Sequence, residues 1–366
     1  MKTTDPKVMF LLPSLAGGGA EKVMMDLFQH LHQKGANLAL AVLNSDGPYI
    51  IKSTPNACLF DLKSKRALTG IFRLKRLFRK EKPAVVFATM AYFNFIVMLA
   101  LLLARWRPEI VVLREANTPA STLEQSGVAS VYRFFYRWLY NRADVIVCNS
   151  KEVERQLIVL GVTPQILKRI PNPIDIDHVR YKAKEDSSMP FFKDPELPTY
   201  VAIGRLTFQK GFDRLIEWFS KEGSQYNLLI IGDGPQLREL KEAARKLNLG
   251  DRLAMLPFQS NPYPFMMKAR ALLLPSRWEG LPNVALEALA IGCPVVCMKS
   301  AGGLNDLVGE IPSHILNIVN DENQFMSKAL SVTKRRGSQN WLPERFAFDE
   351  VAKQYADVLG IDGVKH

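Results

Sequence analysis

Two glutamates, Glu279 and Glu287, stand in the segment "LLLPSRWEGLPNVALEALAIGCPVVC", Leu272 to Cys297. "ALLLPS" reads as a buried strand, "RWEGLP" as the loop at its carboxyl end, and "NVALEALAIG" as a helix with Pro282 near its start. In open α/β sheets ligands bind outside the carboxyl ends of the strands, so Glu279 is placed to reach one. Glu287 lies on an otherwise apolar helical stretch, where an unsatisfied carboxylate is costly. Vicinal hydroxyls, such as those of a ribose, would satisfy it.

Two other segments put charge or glycine at the same kind of place. In "VAIGRLTFQKGFDRLIEWF" a strand ends at Gly204, a loop carries Arg205 and Lys210, and a helix begins near Gly211. Two cations beside a helix N-terminus suit a diphosphate without needing a metal. An ordinary basic surface loop is the alternative. In "PSLAGGGAEKVMMDLF", Gly17, Gly18 and Gly19 separate the first strand from a helix. This suits a phosphate or a negatively charged transition state, or simply a tight turn. It is neither a dinucleotide fingerprint, since position 22 is Lys, nor a P-loop.

The elements that would position these residues follow one rhythm. "KVMFLLPS", "NLALAVLN", "PAVVFATM", "EIVVLRE" and "DVIVCNS" read as buried strands alternating with helical segments such as 20–34 and 128–142. The rhythm breaks at the polar stretch 180–198 and resumes with "TYVAIGR", "YNLLIIGDG", "RLAMLP", "ALLLPS" and "PVVCMKS". Such alternation means parallel sheets covered by helices. The expected organisation is an α/β domain over 1–180, a second over 181–345, and a last helix within 346–366 packing back towards the first. A length of 366 residues with 48% hydrophobic residues suits two cores.

Composition narrows the function. Four cysteines without CxxC spacing indicate a reducing compartment, and five scattered histidines without HExxH give no metal site. The chain opens on a strand rather than a secretory signal. Residues 1–180 hold 25 Lys and Arg against 14 Asp and Glu, whereas the remainder is nearly balanced. Nine of those cations fall between Lys63 and Lys82, interleaved with Leu68, Ile71, Phe72, Leu74, Leu77 and Phe78 at helical spacing. A basic amphipathic helix of this kind suits an anionic membrane surface, with Arg73, Lys75, Arg76 and Arg79 as contacts, or a solvated face of its own domain. No nucleic-acid module is present. The uncharged run Met90–Ala104 is too short to span a bilayer and reads as a buried or membrane-facing helix, with bilayer insertion as the alternative.

Taken together, "PSRWEGLPNVALEALAIGCPVV", "IGRLTFQKGFDRLI", "SLAGGGAEKV", "VCNSKEV" and "IPNPID" resemble, in order, the motifs of glycosyltransferase family 4. The resemblance runs across essentially the whole chain. It implies a retaining enzyme of GT-B fold: two Rossmann-like α/β/α domains whose parallel sheets face an interdomain cleft. A nucleotide diphosphate sugar would bind mainly to the second domain and the acceptor to the first. Arg205 and Lys210 would hold the diphosphate, Glu287 the ribose, and Glu279 the donor sugar. Gly204, Gly280, Leu281, Pro282 and Asn283 would line the sugar and phosphates, Gly18 and Gly19 would approach from the other side, and the base would lie near Leu256, Pro257 and Phe258.

One segment departs from the commoner family pattern. "LREANTP", Leu113 to Pro119, stands where many members carry a His. It is similar to the subgroup that extends lipid-linked oligosaccharides, which makes Glu115 a candidate for catalysis and Glu115 and Asn117 candidates for sugar or acceptor contacts. A structural ion pair between Arg114 and Glu115 is the alternative. The resemblance implies transfer of a hexose or N-acetylhexosamine, from a UDP donor first and GDP-mannose second, to a polyprenyl diphosphate-linked saccharide. The leaving phosphate would assist deprotonation of the acceptor. The expected protein is a monomer, independent of metal and cofactor, peripheral on the cytoplasmic face of the cell membrane. A soluble acceptor, or a catalytically silent sugar-nucleotide scaffold, are the competing functions; a dehydrogenase is disfavoured by the broken glycine fingerprint.

Overall fold

The computed structural model describes residues 7–15, 18–45, 58–64, 66–125, 127–186, 192, 194–222, 225–333 and 339–361. The chain divides into two compact units, residues 1–173 with 349–366, and residues 174–348. The expected boundaries at 180/181 and 345/346 lie a few residues from this division. Ile174, Val179 and Ala183 belong to the apolar core of the second unit.

The first unit is built on β1 (Val8–Ser14), β2 (Leu38–Asn44), β3 (Cys58–Asp61), β4 (Val85–Thr89), β5 (Ile110–Glu115), β6 (Val145–Cys148) and β7 (Leu167–Arg169). They form one parallel sheet in the order β3-β2-β1-β4-β5-β6-β7. Its helices are α1 (Gly19–Gln33), α2 (Ala67–Glu81), α3 (Ala91–Ala104), α4 (Pro119–Gln125), α5 (Ala129–Leu139) and α6 (Lys151–Val159). Strand alternation sends Met9 and Leu11 into a core with the inner faces of α2, α3, α5 and α6. Phe10 points the other way and meets Phe28 of α1 and Phe87 of β4 edge-on, at 5.4 and 5.1 Å.

The second unit is built on β8 (Thr199–Ile203), β9 (Asn227–Ile231), β10 (Leu253–Leu256), β11 (Leu272–Leu274), β12 (Val295–Met298) and β13 (Leu316–Val319). They pair in parallel in the order β10-β9-β8-β11-β12-β13. α7 (Ile176–Lys182), α8 (Phe212–Ser220), α9 (Leu237–Lys246), α10 (Tyr263–Lys268), α11 (Asn283–Ile291) and α12 (Phe325–Ser331) complete it, and α13 (Phe348–Leu359) closes the first unit. Among the described residues, no helix is long and apolar enough to cross a membrane. The apolar run of α3 instead goes largely into the first core, through residues such as Phe93, Val97 and Ala100.

Two buried charges shape the first unit. Arg114 and Glu115 are neighbours on β5, so their side chains leave opposite faces of the sheet. Arg114 is fully buried and donates to the Tyr355 hydroxyl at 3.1 Å, Thr89 Oγ1 at 3.2 Å and Asn172 Oδ1 at 2.6 Å. These bonds tie α13, β4 and the end of the unit's first segment to one guanidinium. Glu115 is 1% exposed and accepts the Tyr140 hydroxyl at 2.6 Å. Burial pushes its carboxyl up to about 7, against the opposing pull of Tyr140, Arg114 and Tyr136.

Two outcomes follow from these charges. Tyr355→Phe leaves one buried donor of Arg114 unsatisfied, and the urea midpoint should fall by the equivalent of about 1–3 kcal/mol; an unchanged midpoint would show that α13 is held by apolar packing alone. Glu115 keeps its proton in the folded state up to about pH 7 and releases it in the unfolded chain near its ordinary value of 4.5. Its contribution therefore declines as pH rises from about 4.5 through 7, by roughly 3 kcal/mol at most. Glu115→Gln keeps an acceptor for Tyr140 and cannot ionise, so it should flatten the fall in urea midpoint between pH 5 and pH 8. Parallel pH profiles for both proteins would assign the titration elsewhere.

Candidate functional site

The sheet order of the second unit reverses between β8 and β11, so the loops leaving these strands emerge side by side at the carboxyl edge. Lys210 comes from one loop and Glu279 from the other, with Nζ 2.5 Å from Oε1. Ser276 Oγ donates to the same carboxylate at 2.9 Å. Gln209 Nε2 donates to the Trp278 carbonyl at 3.1 Å, and the Arg277 amide donates to the Gln209 carbonyl at 2.8 Å. The Arg277 guanidinium grips Asp213 through two bonds of 2.8 and 2.7 Å and lies over the Phe208 ring, 3.8 Å from its centroid. Arg214 completes the seam by donating to the Pro275 and Ser276 carbonyls at 2.7 and 2.9 Å. Gly211 turns the first loop into α8 with φ +69°, and a Cβ there would lie 2.2 Å from the Pro275 carbonyl oxygen. Only glycine fits.

A third loop holds Glu279 from behind. After β12, the Ser300 carbonyl accepts the Glu279 amide at 3.0 Å, and Gly303 N donates to the Gly280 carbonyl at 2.6 Å. Gly302 has φ +58°, and a Cβ there would meet the Glu279 carbonyl at 2.1 Å. Sequence reasoning missed this loop; the signal was the Gly302-Gly303 pair directly after a predicted strand. Gly280, Leu281 and Pro282 are buried, and Pro282 leads into α11, whose first turn carries half-buried Asn283 and the partial positive charge of a helix N-terminus. Glu287, on the same helix, is buried and accepts the Tyr263 hydroxyl of α10 at 3.3 Å. Tyr263 is a second contributor that the sequence reading did not name.

Gly204 directly follows β8, and the stem of Lys210 packs along it, where a Cβ would approach Cε to 3.3 Å. Arg205 is exposed and paired with no carboxylate among the described residues. Pro257 and Phe258 are exposed just beyond β10. The Phe258 amide donates to Asp233 Oδ2 at 2.9 Å, while the Asp233 carbonyl accepts the Leu206 amide at 2.8 Å. Asp233, also unremarked in the sequence, thus ties the loop expected near the base to the loop bearing Arg205. Arg205, Lys210, Glu279, Gly280, Leu281, Pro282, Asn283 and Glu287 all lie on or beside the loops and helix at the β8/β11 edge. This edge gathers two cations, two carboxylates and a helix N-terminus.

In the first unit, Gly18 is buried, caps α1, and accepts the Lys22 amide at 2.9 Å; Gly19 is exposed. Gly17 lies outside the described residues. Glu115, expected at the catalytic or sugar-contacting position, is buried, with its carboxylate under the Tyr140 hydroxyl. The alternative of an Arg114–Glu115 ion pair is not formed, because the two point apart. Asn117 is half-buried, and its backbone supports Glu115. On α2, Arg73, Arg76 and Arg79 are exposed and Lys75 is half-buried. Arg73 donates to the Leu62 and Lys63 carbonyls and Arg79 to the Ala104 carbonyl. These bonds orient the cations without neutralising them. Of the six apolar residues counted on this helix, Leu68 and Phe72 point outward, and the other four face the core.

Comparison with known proteins agrees with this architecture. The family model described as "Glycosyltransferase Family 4" matches residues 17–178, and that described as "Glycosyl transferases group 1" matches residues 184–342. A relative from Campylobacter jejuni, N-acetylgalactosamine-N,N'-diacetylbacillosaminyl-diphospho-undecaprenol 4-alpha-N-acetylgalactosaminyltransferase, is 28% identical over 332 residues, covering 87% of this chain and 88% of its own. Lipopolysaccharide 1,6-galactosyltransferase of Escherichia coli is 29% identical over 45% of this chain and 46% of its own. Among solved structures, Anabaena HepE in complex with UDP-glucose superposes with a TM-score of 0.75 at 18% identity, over 97% of this chain and 99% of its own. With the motifs in order, two parallel-sheet units and both family models in register, this chain belongs to glycosyltransferase family 4 and has the GT-B fold.

Proposed function

We propose that this glycosyltransferase moves a hexose or N-acetylhexosamine from a UDP-sugar to a polyprenyl diphosphate-linked saccharide, with retention at the anomeric carbon, at an anionic membrane surface. The observation that carries the donor half is the Lys210–Glu279 pair, set between two glycine-bearing loops at the switch point of the second sheet. The acceptor half is supported by the undecaprenol-linked substrate in the name of the Campylobacter jejuni relative and by the exposed cations of α2. The UDP-glucose bound by Anabaena HepE favours a UDP donor.

The proposed chemistry uses the charges in place. As the bond between the anomeric carbon and the phosphate oxygen breaks, its electron pair goes to the diphosphate. Lys210, Arg205 and the first-turn amides of α11 meet that growing negative charge. Glu279 accepts from hydroxyls of the sugar and Glu287 from those of the ribose. The acceptor oxygen bonds to the anomeric carbon, and its proton passes to the departing phosphate. No protein metal or cofactor is invoked. Binding requires Lys210 to exchange the Glu279 carboxylate for the diphosphate, which frees that carboxylate for the sugar.

Lys210→Ala and Glu279→Ala should each lower transfer by about a hundred-fold or more while circular dichroism stays unchanged. Wild-type rates in both would displace the site. Calorimetric titration should show binding of UDP in preference to GDP, lost in Glu287→Ala. Binding of GDP alone would move the donor to GDP-mannose, and binding of neither would favour a silent scaffold.

A further inference from the structure

Helix α5 turns an apolar edge outward. Its inner face, with Tyr136 and Leu139 buried and Tyr132 and Phe135 packed against them, belongs to the core. On the outer side Val131, Phe134 (56% exposed) and Trp138 (37% exposed) follow one another at helical spacing. Phe134 and Trp138 stack with centroids 5.8 Å apart and rings 15° from parallel. The Arg142 guanidinium lies 4.0 Å from the centre of the Trp138 ring. Arg133 and Arg137 are exposed on the same helix, and residues 129–142 contain no acid. The acids that follow it in the chain are engaged: Asp144 by Arg107, Glu152 by Arg155 and Glu154 by Arg169. This surface is therefore apolar and cationic at once.

The stripe has company. α2, α3 and α5 cover the same face of the first unit's sheet and share one core. α2 presents Leu68 and Phe72 outward beside Arg73 and Arg76, repeating the pattern of α5. Large exposed aromatics beside arginines, on helical segments that contribute no acid of their own between 129 and 142, match the interfacial zone of an anionic bilayer, where a ring sits among the acyl chains and the guanidinium among phosphates. A protein partner of ordinary composition would leave so many cations uncompensated.

We infer that α5 is a second lipid-contacting element, with Phe134 and Trp138 entering the interface of an anionic bilayer and Arg133, Arg137 and Arg142 meeting its phosphates. The inference rests on the reading of an anionic membrane as partner and adds the element that inserts.

The test is co-sedimentation of the full chain with vesicles of equal phosphatidylglycerol and phosphatidylcholine, and with phosphatidylcholine alone. Wild type is compared with Phe134→Ser/Trp138→Ser and with Arg73→Glu/Arg76→Glu. Loss of both rings from lipid should weaken binding to the anionic vesicles by about ten-fold or more. Brominated lipid should quench tryptophan emission in wild type and less in Trp138→Phe. If wild type binds, the α2 variant weakens and the α5 variant matches wild type, the inference is overturned while the membrane reading stands. If wild type binds no vesicle, both fall. If gel filtration without lipid shows a wild-type dimer that the α5 variant loses, with sedimentation unchanged, the stripe is an interface with a second copy and the inference is overturned.

Discussion

Everything proposed for this chain depends on two loops being held within one hydrogen bond of each other. Lys210 and Glu279 are separated by 69 residues of sequence, and a flexible approach would leave a lysine and a carboxylate to solvent. The closure is made largely by backbone. Gly211 allows the first loop to touch the Pro275 carbonyl, and Gly302 allows the third to touch that of Glu279. Arg277 and Arg214 then stitch the loops through carbonyls and Asp213. Such a seam fixes the backbone of both loops before any ligand arrives, so that only the Lys210 side chain has to change partner when a diphosphate binds.

The parallel sheets explain why the seam is where it is. All strands of a parallel sheet deliver their loops to one edge, and the reversal of order between β8 and β11 opens a gap between crossover connections at that edge. The same reversal occurs between β1 and β4 in the first unit. There the edge carries Gly18, Gly19 and Asn117, while Arg114 and Glu115 have withdrawn into the interior. The two units share an architecture but spend their charged residues differently.

Much of this was legible in sequence because each buried strand announces itself as a short aliphatic run. β3 and β7 did not, being edge strands of four and three residues with little burial, so no apolar pattern marks them. β13 hides behind Asn317 in "LNIV". The glutamates and cations of the second unit were readable from their positions after strands. Their supports were not: the Ser300–Gly303 segment acts through backbone bonds, and Asp233 through its carbonyl and a carboxylate that accepts a backbone amide, which leave only a glycine or a turn residue as a trace. The burial of Glu115 was equally illegible: it is a charged residue ending an aliphatic run, and Tyr136 of α5 and Tyr140 just beyond it are brought over it only by the fold.

The first unit borrows its last helix from beyond the second. Tyr355 reaches Arg114 across 241 residues of chain. On the ribosome, β5 is therefore synthesised roughly ten to fifty seconds before its arginine can find that hydroxyl. Throughout that interval the second unit is being made and is free to collapse on its own core, whereas the first waits with one sheet face short of its α13 cover. The order of completion is thus the reverse of the order of translation.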